Sequence, residues 1–244
     1  MAEFEFYENL KNWNFDNINY DSQSLTNWEF YDELKKVAGD NSVVLDLGTG
    51  GGEKVIKNFP KCKEIIATDY SPEMIKTANE NLTKSGRKDI VFKVMDNLKM
   101  DTPDDYFDVV VARHTPIDAS QIYKTLKKDG KLLVRGVDKF DCWALKLIFN
   151  KGVGFDSEKP ISVIDYENIT KAKFKNVELV PIHVREYYKT KEDLIKLLLK
   201  VPILNEFMNN EKIDLKLLDE YIKENKTEKG ILLLRRYYGI VATK

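Results

Sequence analysis

Apolar residues alternate between two patterns from about residue 40 to residue 137. Short runs of branched side chains predict buried strands, and their sequences are SVVLDLG, EIIATD, IVFKVMD, FDVVVAR and KLLVRGV. Between these runs, apolar residues recur at helical spacing. One such segment begins with Pro72, can be capped by Ser71 and ends at Gly86. Asp118 and Gln121 resemble a capping box for a further helix, which Gly130 would close. Alternating strands and helices predict an α/β fold with a doubly wound parallel sheet.

The flanks of this region follow other patterns. We predict an N-terminal aromatic helical cap over residues 1–40, with Thr26 and Glu29 as a capping-box pair. Its aromatic residues are Phe4, Phe6, Tyr7, Trp13, Phe15, Tyr20, Trp28, Phe30 and Tyr31. Residues 41–244 form the second predicted domain, with a helical insertion at about 190–225 before a last strand, ILLLRRYYGIVAT. Pro181 predicts that the preceding strand lies near an edge of the sheet.

A glycine-rich turn joins the first predicted strand to the first helix. Its pattern is D-x-G-x-G-x-G, formed by Asp46, Gly48, Gly50 and Gly52. The dinucleotide pattern GxGxxG would need a third glycine where Glu53 stands, and a carboxylate there would repel a pyrophosphate. No GxxxxGK[ST] sequence is present in this turn. The turn therefore fits neither of these phosphate-binding patterns.

Further acids follow the next two predicted strands. Asp69 ends the second strand, 23 residues after Asp46, which is near the offset of about 20 residues expected for an acid that binds ribose hydroxyls. Asp96 closes the third strand. Each aspartate alone is more often a helix cap or a turn residue, but the ordered set favours a nucleoside-binding site.

With these motifs, the segment from about 41 to 137 resembles a class I S-adenosylmethionine-dependent methyltransferase. The resemblance implies a seven-stranded sheet in the order 3-2-1-4-5-7-6 with the last strand antiparallel. It implies S-adenosyl-L-methionine as cofactor and S-adenosyl-L-homocysteine as product. The cofactor-binding residues that it indicates are Asp46, Gly48, Thr49, Gly50, Gly52, Asp69, Tyr70, Met74, Asp96, Asn97 and Arg113. Within this set, Asp46 would hold the amino end of the ligand, Asp69 the ribose, Tyr70 and Met74 the adenine face, and Asp96 the adenine amino group.

His114 is the candidate general base, because it follows the fourth strand at the carboxyl end of the sheet, where ligands bind in open α/β folds. A role as a wall of the binding site is the alternative. Arg113 could hold the carboxylate of the methionine moiety or of an acceptor. For His183, within a later strand, a structural role is favoured.

Composition narrows the remaining choices. The 244 residues include 39 Lys and Arg against 40 Asp and Glu, a net charge of −1, so a large basic surface for nucleic acid is not indicated. No apolar run approaches the roughly 18 residues that span a bilayer, and acids near the N-terminus do not resemble a signal peptide, so we expect a cytoplasmic protein. Cys62 and Cys142 are not in metal-ligand spacing and are expected to be reduced, half-buried thiols. No metal site is predicted.

The methyl acceptor is the least determined part. RHTP follows the fourth strand, where methyltransferases that act on exocyclic amines of bases carry [DNS]PP[YFW], so we expect a small-molecule acceptor. An RNA-modifying methyltransferase is one alternative, with Arg235, Arg236, Tyr237 and Tyr238 as a basic and aromatic patch. Neighbours in a strand point to alternating faces, so about half of this patch is expected to lie in the core. A non-catalytic module that binds S-adenosylmethionine is another. Membrane association is not expected, and the sequence does not indicate the oligomeric state.

Overall fold

A computed structural model describes residues 17–244, so the predicted cap residues Phe4, Phe6, Tyr7, Trp13 and Phe15 lie outside the described residues. The strands are β1 (Tyr20–Ser24), β2 (Val43–Leu47), β3 (Glu64–Asp69), β4 (Ile90–Val94), β5 (Phe107–Arg113), β6 (Leu126–Val137), β7 (Lys175–Tyr188), β8 (Lys226–Thr227) and β9 (Gly230–Thr243). The helices are α1 (Phe30–Val37), α2 (Glu53–Asn58), α3 (Pro72–Ser85), α4 (Ala119–Thr125), α5 (Trp143–Phe149), α6 (Ile161–Lys171), α7 (Lys191–Lys200) and α8 (Glu211–Asn225).

The strands form one mixed sheet in the order β4-β3-β2-β5-β6-β9-β7-β1, and β8 pairs with β9. Pairing is parallel from β4 through β3, β2 and β5 to β6. β9 runs antiparallel to β6, since Gly130 bonds to Lys244 while Asp138 bonds to Arg236. The predicted α/β fold is confirmed: its seven strands are β2 to β7 and β9 and follow the predicted order. β1 and β8 are additional.

By internal contacts, the described chain divides into two units. The larger unit contains Trp28–Gly136, Ser162–Val180 and Tyr238–Lys244, and it therefore includes all the parallel strands. All five residues of β2 are buried, and Asp46 is the charged residue among them. This apolar strand places the glycine turn at the carboxyl edge of the parallel strands.

Local capping chemistry explains several helix ends of the larger unit. Ser71 accepts a hydrogen bond from the backbone of Met74, Pro72 begins α3, and Gly86 ends it in the left-handed conformation. Asp118 accepts from the backbone of Ser120 and Gln121 at the start of α4. These predicted caps are confirmed.

Three details of the prediction are corrected. α1 begins at Phe30, and its N-cap residue Glu29 makes no side-chain capping bond. The Thr26 hydroxyl instead donates to the Pro181 carbonyl and accepts from the backbone of His183, so the Thr26–Glu29 capping box is wrong. α4 ends at Thr125, and Gly130, which was expected to close the helix, lies inside β6.

The predicted cap over residues 1–40 is not wholly helical. Within 17–40, Tyr20–Ser24 is a strand that pairs antiparallel with β7, and Phe30–Val37 is the helix. The domain boundary at residue 40 stays a prediction. The helices α7 and α8 fall within the range 190–225 predicted as a helical insertion.

The smaller unit contains 17–27, Val137–Ile161 and Pro181–Tyr237. Its apolar core joins residues from β1's flank, α5, α7, α8 and β9, among them Ile18, Leu145, Leu194, Leu218 and Leu233. Beside this core, buried Arg235 forms ion pairs with Asp141 at 3.0 Å and Glu186 at 3.2 Å. Burial of the guanidinium or of either carboxylate would cost several kcal/mol without an oppositely charged partner, about the penalty for removing one ion from water.

The predicted basic and aromatic patch does not form as one surface. Arg235, Tyr237 and Tyr238 are buried, whereas Arg236 is exposed. Side chains alternate between the faces of a strand, so these four neighbours cannot all reach solvent together. This patch of four residues therefore does not support an RNA partner.

Pro181 agrees with its predicted setting, whereas the two cysteines are more buried than the half-buried thiols that the sequence predicts. β7 is next to the edge strand β1, and β1 pairs with residues 184–188, so the Pro181 segment lies beyond that pairing. Cys62 and Cys142 are free and buried. Within residues 17–244, no helix is long and apolar enough to cross a membrane.

Candidate functional site

The glycine turn between β2 and α2 depends on left-handed backbone. Gly48, Gly50 and Gly52 have φ values of 75°, 59° and 76°. A Cβ on Gly48 would lie 2.7 Å from Cβ of Thr115, and one on Gly52 would lie 2.6 Å from Cζ of Phe92. The glycines therefore satisfy both the turn and the close contacts around it.

Asp69 holds this turn from the end of β3. One of its carboxylate oxygens accepts from the Gly50 backbone N–H at 2.8 Å, and the other accepts from the Ser71 N–H at 3.0 Å. Each carboxylate oxygen has a second lone pair, so both can still accept hydrogen bonds from a ligand. The side chain is half-buried.

Asp46 is the buried acid of the site. Burial raises the pKa of its carboxyl to about 7, Thr49 and Arg113 oppose the rise, and Asp69 adds to it. The Thr49 hydroxyl lies close enough to favour the charged form, but its geometry falls short of a hydrogen bond. A cation beside Asp46 would therefore fix the carboxylate in its charged form.

The loops after β4 and β5 meet at Gly48. The Asn97 amide donates to the Thr115 hydroxyl at 2.8 Å, and Thr115 lies against Gly48. Asp96, half-buried, accepts from the backbone of Leu98 through one carboxylate oxygen. Because the carboxyl ends of parallel strands share one edge, these loops and the glycine turn form one site.

Four buried side-chain oxygens in the described chain, 17–244, have no hydrogen-bond partner. They are Tyr31 Oη, Asp46 Oδ2, Thr49 Oγ1 and Asn97 Oδ1. Buried polar atoms are normally paired, because an unpaired one costs roughly 1–3 kcal/mol. All four belong to the larger unit. Thr49 and Asn97 lie in the loops that follow β2 and β4, and Asp46 lies near the end of β2. This concentration fits a polar ligand with several donors.

Tyr70 and Met74 differ in exposure. Tyr70 is 56% exposed, and its ring can cover a ligand, whereas Met74 is buried in the first turn of α3. Tyr70 follows Asp69 directly along the chain, and Met74 comes five residues after Asp69.

Arg113, His114 and Arg135 lie at the ends of β5 and β6. His114 is exposed and has a φ of 57°, and its backbone N–H donates to the Arg135 carbonyl at 2.8 Å. Nη1 of Arg135 contacts Nε2 of His114. A guanidinium only donates, so Nε2 is the acceptor in this contact. His183, in contrast, is an exposed residue of β7, and its backbone bonds to Thr26 and Leu25.

Sequence reasoning missed Tyr31, Thr115 and Arg135. Thr115 and Arg135 could have been found by extending the rule of the carboxyl edge to every residue at the ends of the fourth and fifth strands. Tyr31 has no such signal, since it comes from α1, outside the alternating region. Within the described chain, no group of His, Cys, Asp or Glu could hold a metal ion.

The strand order and the glycine turn at the carboxyl edge define a Rossmann-like fold of the methyltransferase type. A family model described as "Methyltransferase domain" matches residues 38–147. Residues 38–147 therefore match a methyltransferase domain, and the predicted resemblance to class I S-adenosylmethionine-dependent methyltransferases and the predicted cofactor class are confirmed.

Known proteins of this type are similar to the chain. An uncharacterised methyltransferase of Bacillus subtilis, YcgJ, is 29% identical over 98 residues, which cover 37% of this chain and 39% of that protein. A putative methyltransferase of Bacillus halodurans has a TM-score of 0.61 at 21% identity, covering 88% of this chain and 98% of that chain. The structure of phosphoethanolamine N-methyltransferase 2 of Haemonchus contortus in complex with S-adenosyl-L-methionine has a TM-score of 0.52 at 18% identity. The match covers 89% of this chain and 52% of that chain.

Proposed function

We propose that the protein is an S-adenosylmethionine-dependent methyltransferase that acts on a small molecule. The observation that carries the proposal is the concentration of unpaired buried oxygens beside the left-handed glycine turn. Asp46 would bind the cofactor's ammonium group, and Asp69 its ribose hydroxyls. Thr49, Gly48, Gly50 and Gly52 would line the path of its amino-acid part.

The adenine end would be held by the next two loops. Asp96 and Asn97 offer acceptor oxygens to the adenine amino group, since one Asp96 oxygen bonds only locally and Asn97 Oδ1 is unpaired. Tyr70 and Met74 would cover the faces of the base. When bound, S-adenosylmethionine supplies an activated methyl group.

The chain's own residues would align the acceptor and exclude water, which together can supply about 7–11 kcal/mol of the rate acceleration. His114 would accept a proton from an amine or hydroxyl acceptor. Its Nε2 is bound to Arg135, and Nδ1 can accept only in the tautomer that carries its proton on Nε2, where a guanidinium cannot donate. Either nitrogen can therefore act as the base only if Arg135 moves.

A small-molecule acceptor is supported by two observations. The structurally similar enzyme of Haemonchus contortus is named for phosphoethanolamine, a small molecule. In addition, three of the four residues of the suggested RNA patch are buried. Labelled cofactor incubated with a cell extract, then separated into small-molecule, RNA and protein fractions, tests this part: label in the RNA fraction would contradict it.

Cofactor binding is tested by thermal unfolding. We expect S-adenosylhomocysteine at about 100 times its dissociation constant to stabilise the protein by about 2.7 kcal/mol. NAD should give no shift, because Glu53 stands at the start of α2, where a pyrophosphate would lie. Adenosine is the matched control and should give a smaller shift. A larger shift with NAD than with S-adenosylhomocysteine would overturn the assignment.

A further inference from the structure

Three half-buried aromatic rings lie together in the segment between β6 and α6. Trp143, the first residue of α5, meets Phe140 edge to face with ring centroids 5.1 Å apart, and the ring of Phe155 lies 5.2 Å from that of Trp143. All three residues belong to the smaller unit. Single exposed apolar residues are common, but a contiguous aromatic surface that solvent can reach is typical of a binding site.

A cation already lies against these rings. Nζ of Lys139 is 5.8 Å from the ring centroid of Phe140 and 5.8 Å from that of Trp143. The same ammonium group donates a hydrogen bond to the Ser157 carbonyl. Both distances are within the roughly 6 Å over which the negative face of an aromatic ring attracts a cation. The position of Lys139 therefore shows which charge this aromatic surface favours.

A buried lysine fixes the backbone that carries the rings. Lys146 is 2% exposed, and its Nζ donates to the carbonyl of Lys139 at 3.1 Å and to that of Val153 at 2.7 Å. These two carbonyls lie one residue before Phe140 and two residues before Phe155. Lys146 therefore ties together the two stretches of chain that bring their rings to Trp143.

A second buried contact holds the chain on the other side of Phe140. Asp141 forms an ion pair with Arg235 at 3.0 Å and accepts a hydrogen bond from the backbone N–H of Arg236 at 2.7 Å. Rings on a backbone fixed in this way lose little conformational freedom when a ligand binds. Such preorganisation allows a small ligand to bind through few contacts.

We propose that Phe140, Trp143 and Phe155 bind a small organic cation with a quaternary or methylated ammonium group, and that Lys139 takes the place of this cation in the free protein. The ε-ammonium group of a lysine is compact and strongly hydrated, whereas a methylated ammonium group presents its charge through carbon atoms that can contact the rings. The ligand would displace the Lys139 ammonium group toward solvent. The residues of the proposed cofactor site take no part in this inference, so it does not rest on the proposed function.

The test titrates choline chloride into the natural protein by calorimetry, at constant ionic strength maintained with sodium chloride. The matched control ligand is the uncharged alcohol in which a carbon atom replaces the ammonium nitrogen of choline. It has the same shape and no charge, so it should bind at least about tenfold more weakly than choline. The protein is used without S-adenosylhomocysteine, which keeps the result separate from the test of cofactor binding.

Three variants assign the binding to the rings. Trp143→Leu should weaken choline binding about tenfold, and Trp143→Phe should retain part of it. Lys139→Met keeps most of the side chain's length but removes the charge, so choline should bind about fivefold more tightly once no internal cation competes.

The matched control variant is Lys229→Met. Nζ of Lys229 lies 5.5 Å from the ring centroid of Tyr187, so this variant also removes a lysine that lies over an aromatic ring. It should leave the affinity for choline unchanged. Thermal unfolding of each variant checks that it is folded.

The inference is overturned if neither the natural protein nor Lys139→Met binds choline, or if the uncharged alcohol binds as tightly as choline does. It is also overturned if folded Trp143→Leu binds choline as the natural protein does. Equal affinities of Lys139→Met and Lys229→Met would show that Lys139 does not occupy the cation's place, which contradicts the proposal even if Trp143→Leu fails to fold.

Discussion

Asp46 is a carboxylic acid inside an otherwise apolar strand, and its environment makes ligand binding depend on pH. Burial raises its pKa to about 7, far above the roughly 3.9 of an unfolded aspartate. Without ligand, the neutral form stabilises the fold at low pH, and this contribution is lost as pH rises from about 4 to about 7. A bound ammonium group reverses the preference, because it attracts the charged form.

We therefore expect the affinity for S-adenosylhomocysteine to increase as pH rises toward about 7, by up to about tenfold per pH unit, and to level off above it. Calorimetry between pH 5.5 and 8 measures this. Asp46→Asn should bind more weakly at pH 8 and lose the pH dependence. Asp101→Asn, at an exposed aspartate, should behave as the natural protein. An unchanged pH profile in Asp46→Asn would show that Asp46 does not meet the ligand's cation.

For individual residues, the sequence predicts those whose roles depend on their immediate neighbours in the chain. The glycines and Asp69 could be placed because a turn directly after a strand requires them, and the structure joins them through the Gly50–Asp69 hydrogen bond. Tyr31 could not be placed, since its position depends on a helix before the sheet. Arg135 could be assigned to the carboxyl edge, but its pairing with Arg113 depends on the register between β5 and β6.

At the scale of elements, the turn between β2 and α2 is held by glycines for two separable reasons. Gly48 and Gly52 combine positive φ with close neighbours, whereas Gly86 has positive φ and open space around it. Gly39 has neither feature. The four positions thus separate the cost of left-handed backbone from the cost of crowding.

We expect Gly39→Ala to change the free energy of unfolding little and Gly86→Ala to lower it by about 1–2 kcal/mol. Gly48→Ala and Gly52→Ala should lower the free energy of unfolding by about 1–3 kcal/mol more than Gly86→Ala does, because a Cβ would overlap Thr115 or Phe92. Denaturant unfolding of the four variants measures these differences. Equal losses in Gly48→Ala and Gly86→Ala would contradict the close contact between Gly48 and Thr115.

Helix ends were predictable where their chemistry is local and not where tertiary contacts compete. Ser71 and Gly86 terminate α3 as expected, because both act on their own helix. Thr26 has the same capping chemistry, yet its hydroxyl bonds to Pro181, 155 residues away along the chain. A hydroxyl with a distant partner gives no sign of that partner in the local sequence.

At the scale of the whole molecule, two deletions of different length separate the roles of residues 1–16 from those of residues 17–24. Ile18 is buried in the core of the smaller unit, Asn19 bonds to Asp193, and β1 pairs with β7. Residues 1–16 carry the aromatic residues of the predicted cap that lie outside the described chain.

Deletion of residues 1–24 should therefore lower the melting temperature by several degrees, because apolar burial and strand pairing are lost. Deletion of residues 1–16 should leave binding of S-adenosylhomocysteine intact and should reduce turnover, if the predicted aromatic cap excludes water from the reacting methyl group. Thermal unfolding and rates with an identified acceptor measure the two effects. Full turnover after deletion of 1–16 would remove these residues from the mechanism.

The division into two units could not be predicted, because strand patterns carry no sign that one strand contributes to two cores. β7 and β9 do so: residues 175–180 and 238–243 belong to the larger unit, and the remainder of each strand belongs to the smaller one. The apolar patterns predicted the strands and the family resemblance implied their order, whereas the division into two units is visible only in the structure.

The shared strand β9 has a consequence during protein synthesis. Residues 230–237 complete the smaller unit and residues 238–244 complete the larger one, so neither core is finished until this strand has left the ribosome. The glycine turn and its acids are made far earlier, and they await a strand that follows β2 by more than 180 residues. Contacts between segments so distant in sequence form slowly. A nascent chain that still lacks β9 would therefore expose apolar strands, and we expect its yield in cells to depend on chaperones that hold such segments.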